Sequence, residues 1–299
     1  MSNPAYRGRF APSPTGPLHF GSLLAAVASY AQARQQQGKW LVRIEDVDLP
    51  RCDTDSTSLI LNALEVYGMH WDEDIVFQSQ RTEHYQAALE ILSAKNLIYG
   101  CACSRRQIIR ENKNAIYPGT CRNGLKDGKV ARSIRLRTNN EEISFNDKVQ
   151  GHYAQNISRD VGDFIIKRAD NLFAYQLAVV VDDEDQGITE VVRGSDMLDS
   201  TPRQILLQQY LSYSIPDYAH IPLATKPDGS KLSKQSMARA IPLDDPIPTL
   251  IKALNFLGQQ PPEDLGDSNV ESIWAWVIEH WSINTVPAQL NITYNETDD

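Results

Sequence analysis

Arg9-Phe10-Ala11-Pro12-Ser13-Pro14-Thr15-Gly16-Pro17-Leu18-His19-Phe20-Gly21-Ser22 is the stretch on which the fold turns. Tyr6 to Pro12 reads as a short strand, a run of turn residues follows, and a helical stretch from His19 to Gln37 begins, ended by Gly38. A strand that passes through a Pro- and Gly-rich turn into a helix N-terminus makes an anion site, because the first backbone N–H groups of a helix have no partner inside it. Gly21 lets a phosphate approach the backbone closely. Four residues of the pattern His-x-Gly-Ser recur by chance, however, and taken alone read better as a plain turn with a solvent-facing histidine.

Outward from this stretch, strands and helices alternate. Trp40 to Ile44 is an apolar strand followed by Glu45, Asp46 and Asp48, and Leu59, Leu61, Leu64 and Tyr67 predict a helix closing at Gly68. Ile75 to Gln78 reads as a strand and Thr82 to Lys95 as a helix with Tyr85, Leu89 and Leu92 on one face. This order predicts an α/β fold, a parallel sheet with helices on both faces. Residues 101–160 break the pattern with three cysteines, several turn signals and alternation in Ile134 to Arg137, which suggests an insertion. The sheet is expected to resume with Phe164 to Lys167, Leu172 to Val181 and Ile188 to Val192. A helix from Pro202 to Tyr213, opened by Ser200 or Thr201, and two helical segments at about 246–258 and 268–281 complete the chain. The expected organisation is a sheet domain in two halves, 1–100 and 161–240, with an insertion at 101–160 and a C-terminal part at 241–299.

With 299 residues, 41% hydrophobic and 22% charged, the chain has ordinary globular composition, and collagenous, disordered and small secreted classes are excluded. No apolar run approaches the roughly 18 residues of a membrane span, and Leu177 to Val181 is strand-sized. The N-terminus lacks the apolar core of a secretory signal, and four scattered cysteines do not suggest a disulfide framework, so a cytoplasmic protein is expected. The net charge of −9 argues at first against a nucleic-acid partner, but its distribution matters more. Residues 261–299 carry eight acids and neither Lys nor Arg. Between Cys101 and Arg137, ten cations stand against Glu111 and Asp127, a local +8 that includes Arg105, Arg106 and Arg110. Such a segment can hold a polyanion through its phosphates, or be a solvated face balanced by acids elsewhere.

A second motif gives the first its meaning. Lys231-Leu232-Ser233-Lys234-Gln235 follows Asp228-Gly229 in a polar loop, and two lysines three residues apart can neutralise charge on a transferring phosphoryl group. Together the two motifs resemble the HIGH and KMSKS signatures of class I aminoacyl-tRNA synthetases. With Arg43-Ile44-Glu45-Asp46, Tyr175 in Phe173 to Ala178, and Val192-Arg193-Gly194-Ser195-Asp196, the first 240 residues resemble the glutamyl/glutaminyl subfamily, with a Rossmann-like catalytic domain. The resemblance implies ATP, used with Mg2+, and activation of glutamate through an acyl-adenylate. It places His19, Gly21, Ser22 and Lys234 at ATP, Lys231 in the signature loop, and glutamate at Arg9, Phe10, Ala11, Pro12, Ser13, Glu45, Tyr175 and Arg193. The residue chemistry agrees. Arg9 and Arg193 suit two carboxylates, Glu45 suits an ammonium, and Ser13 and Tyr175 add neutral hydrogen bonds.

Cys101, Cys103 and Cys121 supply three thiolates, whereas zinc takes four ligands. Tyr117, His152 and Cys52 are the candidates for the fourth, and three unligated thiols are the bland alternative. A set of three cysteines and Tyr117 resembles a branch of the subfamily, the glutamyl-queuosine tRNA(Asp) synthetases, which implies one structural Zn2+. Only 64 residues follow Gln235, too few and too acidic for the usual anticodon-binding domain, and this too resembles that branch. The branch implies glutamate transfer to queuosine in the anticodon stem-loop of tRNA(Asp), by an enzyme expected to act as a monomer. Three rivals stand beside it: a minimal glutamyl-tRNA synthetase charging tRNA(Glu), a glutamate- or ATP-sensing regulator without catalysis, and a glutamate-activating enzyme with another acceptor.

Overall fold

Strand alternation sorts the side chains of this chain into two layers, and that sorting builds the site. The computed structural model describes residues 5–48, 54–111, 116–126, 128–230 and 239–294. Strand β1 (Arg7–Phe10), helix α1 (Phe20–Gln35), strand β2 (Lys39–Ile44), helix α2 (Thr54–Val66) and strand β3 (Val76–Phe77) open the fold, with the three strands parallel in the order β1-β2-β3. Helix α3 (Thr82–Ala94) leads to β4 (Ile98–Cys101) and the short α4 (Arg105–Glu111). Then come β5 (Ser133–Leu136), the antiparallel hairpin of β6 (Glu142–Asp147) and β7 (Gly151–Asn156), the single turn α5 (Ile157–Asp160) and β8 (Ile165–Lys167). β4, β5 and β8 form a separate antiparallel sheet.

The parallel pattern returns with α6 (Tyr175–Asp185), β9 (Glu190–Gly194), α7 (Thr201–Leu211) and β10 (Asp217–Ile221), where β9 and β10 pair in parallel. β9 lies alongside β1, tied by the Thr189 N–H donating to the Arg7 carbonyl at 2.9 Å. β11 (Leu223–Thr225), α8 (Ile247–Phe256), α9 (Val270–His280) and β12 (Asn291–Thr293) finish the chain, with β12 parallel to β11.

Successive strand residues point to opposite faces. Phe10, Trp40, Val42, Ile44, Val192, Ala219 and Ile221 join a core with α1, α8 and α9, through residues such as Leu24, Leu254 and Trp274. Leu41, Val191 and Tyr218 join the other core, with Leu89 of α3, Leu177 of α6 and Leu207 of α7. Arg9, Arg43, Arg193 and His220 alternate with the first set, so four strands present polar groups to the face that α6 covers. The segment 241–294 is no appendage. Leu250, Leu257, Ile273 and Trp281 lie in the same cluster as the sheet.

Several sequence expectations need correction. Leu172 to Val181 is not a strand: Tyr175–Asp185 is helix α6, buried from Leu177 through Asp183. A five-residue apolar run buried on all sides carries no period, so helix and strand look alike in it. The neighbours decide. Asp182 and Asp183 are both buried and both ion-paired, which adjacent residues of a strand, on opposite faces, do not achieve from one side. β3 is shorter than expected, because Gln78–Gln80 turns into a 3-10 helix. Leu59 is exposed; the buried stripe of α2 runs through Ile60, Ala63 and Leu64, with Tyr67 just beyond. Ser200 stands at the N-cap of α7 but its side chain makes no capping bond there.

Candidate active site

The turn after β1 and the start of α1 line a cleft of about 890 Å3, together with Glu45, Tyr175 and Arg193. His19 is the N-cap of α1. Its Nδ1 accepts from the Ser22 N–H at 3.3 Å, while the His19 N–H donates to Ser22 Oγ at 2.9 Å, a reciprocal box that fixes where the helix begins. The opening of the helix, Gly21 and Ser22 included, borders the cleft, and its backbone donors and dipole favour an anion. His19 also bridges in antiparallel fashion to Ala240, and the Ile241 N–H donates to the Leu18 carbonyl at 3.0 Å. Lys231 and Lys234 lie outside the described residues. The chain leaves towards them from β11, whose Leu223 and Ala224 line the cleft, and returns at Ala240 beside His19.

The polar face of the sheet supplies the charges. Arg9, 3% exposed, donates its Nε to Asp183 Oδ1 at 3.1 Å. Arg43 is fully enclosed and spends itself on the protein. Its Nη2 is 2.8 Å from Asp183 and 3.7 Å from Glu45, and its Nη1 donates to Gln186 Oε1 at 2.7 Å. Burial raises the Asp183 carboxyl, but Arg9 and Arg43 outweigh it and hold the group below its ordinary range. Asp182, on the same helix, takes Gln78 Nε2, Tyr85 Oη and Arg81 Nε. Glu45 differs from Asp183. Burial pushes its carboxyl up to about 7, against the pull of Arg43 and Arg9 and with Asp183 and Asp182 adding to the rise. A carboxyl poised near neutrality at the wall of a cleft suits a group that becomes fully ionised when a cation arrives.

Arg193 lines the cleft opposite these residues. Its Nη1 donates to Tyr175 Oη at 3.3 Å, its Nη2 to Thr201 Oγ1 at 2.9 Å and Gln204 Oε1 at 2.8 Å, and its Nε to His220 Nε2 at 3.0 Å. Burial raises the Tyr175 phenol, so it faces the cleft as a neutral hydroxyl. A Cβ at Gly194 would meet Asp196 Oδ1 at 2.8 Å and Leu223 Cδ2 at 2.9 Å, so both side-chain ends would have to shift to admit one.

Away from the cleft, Cys101, Cys103 and Cys121 form a group able to hold a metal ion, with their sulfurs all within 4.8 Å of one another. A tetrahedral zinc site has sulfur–sulfur edges of about 3.8 Å and sulfur–oxygen edges of about 3.5 Å, from bonds of about 2.3 and 2.0 Å. Cys103 and Cys121 are 3.6 Å apart, and Tyr117 Oη lies 3.4 Å from Cys101 Sγ and 3.9 Å from Cys103 Sγ. These separations fit that donor set. The Cys121 N–H donates to Tyr117 Oη at 2.8 Å, and the Arg135 guanidinium lies 3.8 Å over the Tyr117 ring, both favouring a phenolate, whereas burial and the neighbouring Cys101 hold the phenol above its ordinary range. Burial raises the Cys101 thiol, yet hydrogen bonds with Tyr117 and Arg135 bring it down to about 7. His152 stands exposed on β7 beside Asn146 and is not part of the group. Cys52 lies outside the described residues.

Arg9, Phe10, Ala11, Pro12, Ser13, His19, Gly21, Ser22, Glu45, Tyr175 and Arg193 thus share one cleft, although up to 184 positions separate them. Sequence reasoning missed Asp183, His220 and Asp147. The acid run Asp182 to Asp185 was a signal for the first; a lone histidine and a lone aspartate give none. The ten cations of 101–137 are not all available to a ligand. Arg122 pairs with Asp163, Arg135 is buried, and Arg137 stacks 4.8 Å over the Tyr99 ring, while Arg105, Arg106 and Arg110 are exposed.

Comparison with known proteins gives concordant results. The family model described as "tRNA synthetases class I (E and Q), catalytic domain" matches residues 5–265. The Glutamyl-Q tRNA(Asp) synthetase of Dechloromonas aromatica is 53% identical over 293 residues, covering 96% of this chain and 97% of the relative. The protein of that name from Escherichia coli is 48% identical, covering 99% and 96%. Among solved structures, a glutamate-tRNA synthetase from Elizabethkingia anophelis superposes with a TM-score of 0.81 at 24% identity, covering 98% of this chain and 69% of that one, a likeness of fold.

Proposed function

Since the chain belongs to the class I tRNA synthetases of the E and Q kind, and within them to the glutamyl-Q tRNA(Asp) synthetases, we propose that it activates glutamate with ATP and transfers it to queuosine at the wobble position of tRNA(Asp). The observation that carries the substrate is the charge pattern of the cleft, with Arg9 and Arg193 on its walls for two carboxylates and Glu45 for one ammonium. Glutamate matches that pattern. Glutamine, with one carboxylate fewer, would leave a buried arginine without its anion.

In the first step, the α-carboxylate of glutamate attacks the α-phosphorus of MgATP in line, the bond to the bridging oxygen breaks, and pyrophosphate leaves. The N-terminus of α1, capped by His19, faces the triphosphate, and Lys234 neutralises charge on the transferring group. Mg2+ enters with ATP and neutralises phosphate oxygens. In the second step, a hydroxyl of the queuosine cyclopentenediol attacks the activated carbonyl, AMP leaves, and an ester remains. Alignment of the reactants supplies most of the acceleration, and no covalent enzyme intermediate is needed.

Cys101, Cys103, Tyr117 and Cys121 would hold Zn2+, which would cross-link β4 to the following loop and, with four protein ligands, leave no position for water. Exposed Arg105, Arg106 and Arg110 on α4 would meet RNA phosphates beside that loop. We place the enzyme in the cytoplasm, acting as a monomer; no described helix is long and apolar enough to cross a membrane.

The test is transfer of radiolabelled glutamate to tRNA(Asp) with and without queuosine, with periodate applied before or after. Label confined to the queuosine-bearing RNA, and abolished by prior periodate treatment, supports the reading. Label on tRNA(Glu) alone would make the chain a minimal charging enzyme.

A further inference from the structure

Behind Arg193 stands a buried pair that does not line the cleft. His220, on β10, and Asp147, at the end of β6, are both fully enclosed, and His220 Nδ1 lies 2.6 Å from Asp147 Oδ2. The other oxygen of Asp147 accepts the backbone N–H groups of Val149 (3.0 Å), Gln150 (2.9 Å) and His220 (3.0 Å). On the far side of the ring, His220 Nε2 lies 3.0 Å from Arg193 Nε and 3.2 Å from Thr201 Oγ1, a hydroxyl that is also 3.2 Å from the Met197 carbonyl. An arginine Nε can only donate, so Nε2 must carry a lone pair, and the single ring proton must sit on Nδ1, facing the carboxylate.

We infer that Asp147 and His220 are positioning residues for Arg193: Asp147 locks the imidazole as the neutral Nδ1–H tautomer, and the lone pair so presented holds the guanidinium aimed at the cleft. The inference rests on the reading of Arg193 as a glutamate ligand. The surroundings agree with it. Burial, and the charges of Arg193 and Arg9, keep His220 below its ordinary range despite the pull of Asp147. Thr201 and Gln204 fix Nη2 of the same guanidinium, and Tyr175 meets Nη1, so the head that Arg193 offers to the cleft is braced from three sides. Asp147 comes from the hairpin β6–β7, whose turn also grips β10 through Lys148 N–H to the Tyr218 carbonyl at 2.9 Å and Gln150 Nε2 to the His220 carbonyl at 2.8 Å. The stretch 101–160, expected as an insertion, therefore also braces the amino-acid pocket.

The geometry makes Asp147→Asn a tautomer switch. Three backbone donors demand an oxygen at the Oδ1 position, so the amide NH2 must take the Oδ2 position and face His220 Nδ1. The ring then accepts at Nδ1, and its proton moves to Nε2, against the Arg193 N–H. The test combines two readouts on the full-length protein. In the wild type, 15N shifts of His220 should show a protonated Nδ1 and an unprotonated Nε2, and in Asp147→Asn the reverse. In glutamate-dependent ATP–pyrophosphate exchange, the variant should raise KM for glutamate by about tenfold or more, with KM for ATP unchanged. His220→Gln, which can offer an amide oxygen near the Nε2 position, should keep KM closer to wild type than His220→Leu. A wild-type Nε2–H tautomer overturns the inference, as does a swapped tautomer with an unchanged glutamate KM. If Asp147→Asn does not fold, the wild-type tautomer and the two His220 variants decide. Absence of glutamate-dependent exchange in the wild type would instead remove the reading of Arg193, and the tautomer would still test the lock by itself.

Discussion

Replacing Glu45 by Gln should stabilise the protein while weakening its hold on glutamate. Glu45 lies at the wall of the cleft with 11% of its side chain exposed, and burial raises its carboxyl from an ordinary 4.5 to about 7. A group whose folded-state value is raised stabilises the fold below its unfolded value and costs stability as pH rises. The loss runs from about pH 4.5 to pH 7 and then levels off. A shift of about two and a half units at 1.36 kcal/mol each amounts to about 3 kcal/mol by pH 8, against less than about 1 kcal/mol at pH 5. Gln carries no charge and escapes this cost. Arg43 is not stranded by the change, since Asp183 at 2.8 Å and Gln186 at 2.7 Å remain its partners, whereas Glu45 is 3.7 Å away. Urea unfolding followed by tryptophan fluorescence at pH 8 and pH 5 measures both ends. The expected result is a variant about 3 kcal/mol more stable at pH 8, with most of the gap gone at pH 5. Equal stabilities at pH 8, or a gap that does not change with pH, would refute the reasoning, because a buried carboxyl that costs nothing when ionised is not desolvated.

The same carboxyl predicts that glutamate affinity, measured by calorimetry, falls about tenfold between pH 8 and pH 6, as Glu45 protonates and loses the ammonium; a flat profile counts against Glu45 as its partner. Lys234→Ala should suppress ATP–pyrophosphate exchange while calorimetry still detects glutamate, and normal exchange would remove Lys234 from the phosphoryl-transfer step. The purified protein should carry one zinc per chain by elemental analysis, and Tyr117→Phe should surrender it at lower chelator concentration than wild type, whereas unaltered retention would exclude the phenolate as a ligand. Replacing Arg105, Arg106 and Arg110 with Gln should weaken RNA binding and reduce the slope of log affinity against log salt by up to about 0.9 for each phosphate no longer neutralised; an unchanged slope would place the RNA elsewhere.

The parts of the site that a sequence reading reaches are those where local chemistry and local structure coincide. His19, Gly21 and Ser22 were legible because a helix start is written in adjacent residues, and the capping box of His19 with Ser22 spans three positions. Arg9, Glu45 and Arg193 were legible only through motifs that resemble a family, since nothing local says that β1, β2 and β9 lie side by side. The three cysteines read from their spacing as a group able to hold a metal, and the structure brings their sulfurs together. That Tyr117 rather than His152 packs against Cys101 and Cys103 is made only on folding, and Cys52 lies outside the described residues. Helix α6 was misread because a run buried on every side has no period, and what marks it as a helix is what Asp182 and Asp183 touch across the sheet.

Those two aspartates also explain how three arginines can crowd one face of the sheet without driving it apart. Arg43 is closed off from the cleft and binds Asp183, and Asp183 in turn takes Nε of Arg9, so the enclosed cation keeps ionised the acid that orients the ligand-facing one. Arg193 is oriented differently, by the neutral acceptors His220, Thr201, Gln204 and Tyr175. A substrate with two carboxylates meets these two arginines on unequal terms. Arg9 shares its charge with a fixed anion, whereas Arg193 is held by neutral dipoles and keeps its full charge for the ligand in a site of low dielectric. Removing Arg193 should therefore cost more binding than removing Arg9, and Arg9→Gln should be partly offset because Asp183 keeps Arg43 at 2.8 Å. Glutamate calorimetry on the two variants ranks them, and a larger loss at Arg9 would show that its partner acid sharpens rather than shares the charge.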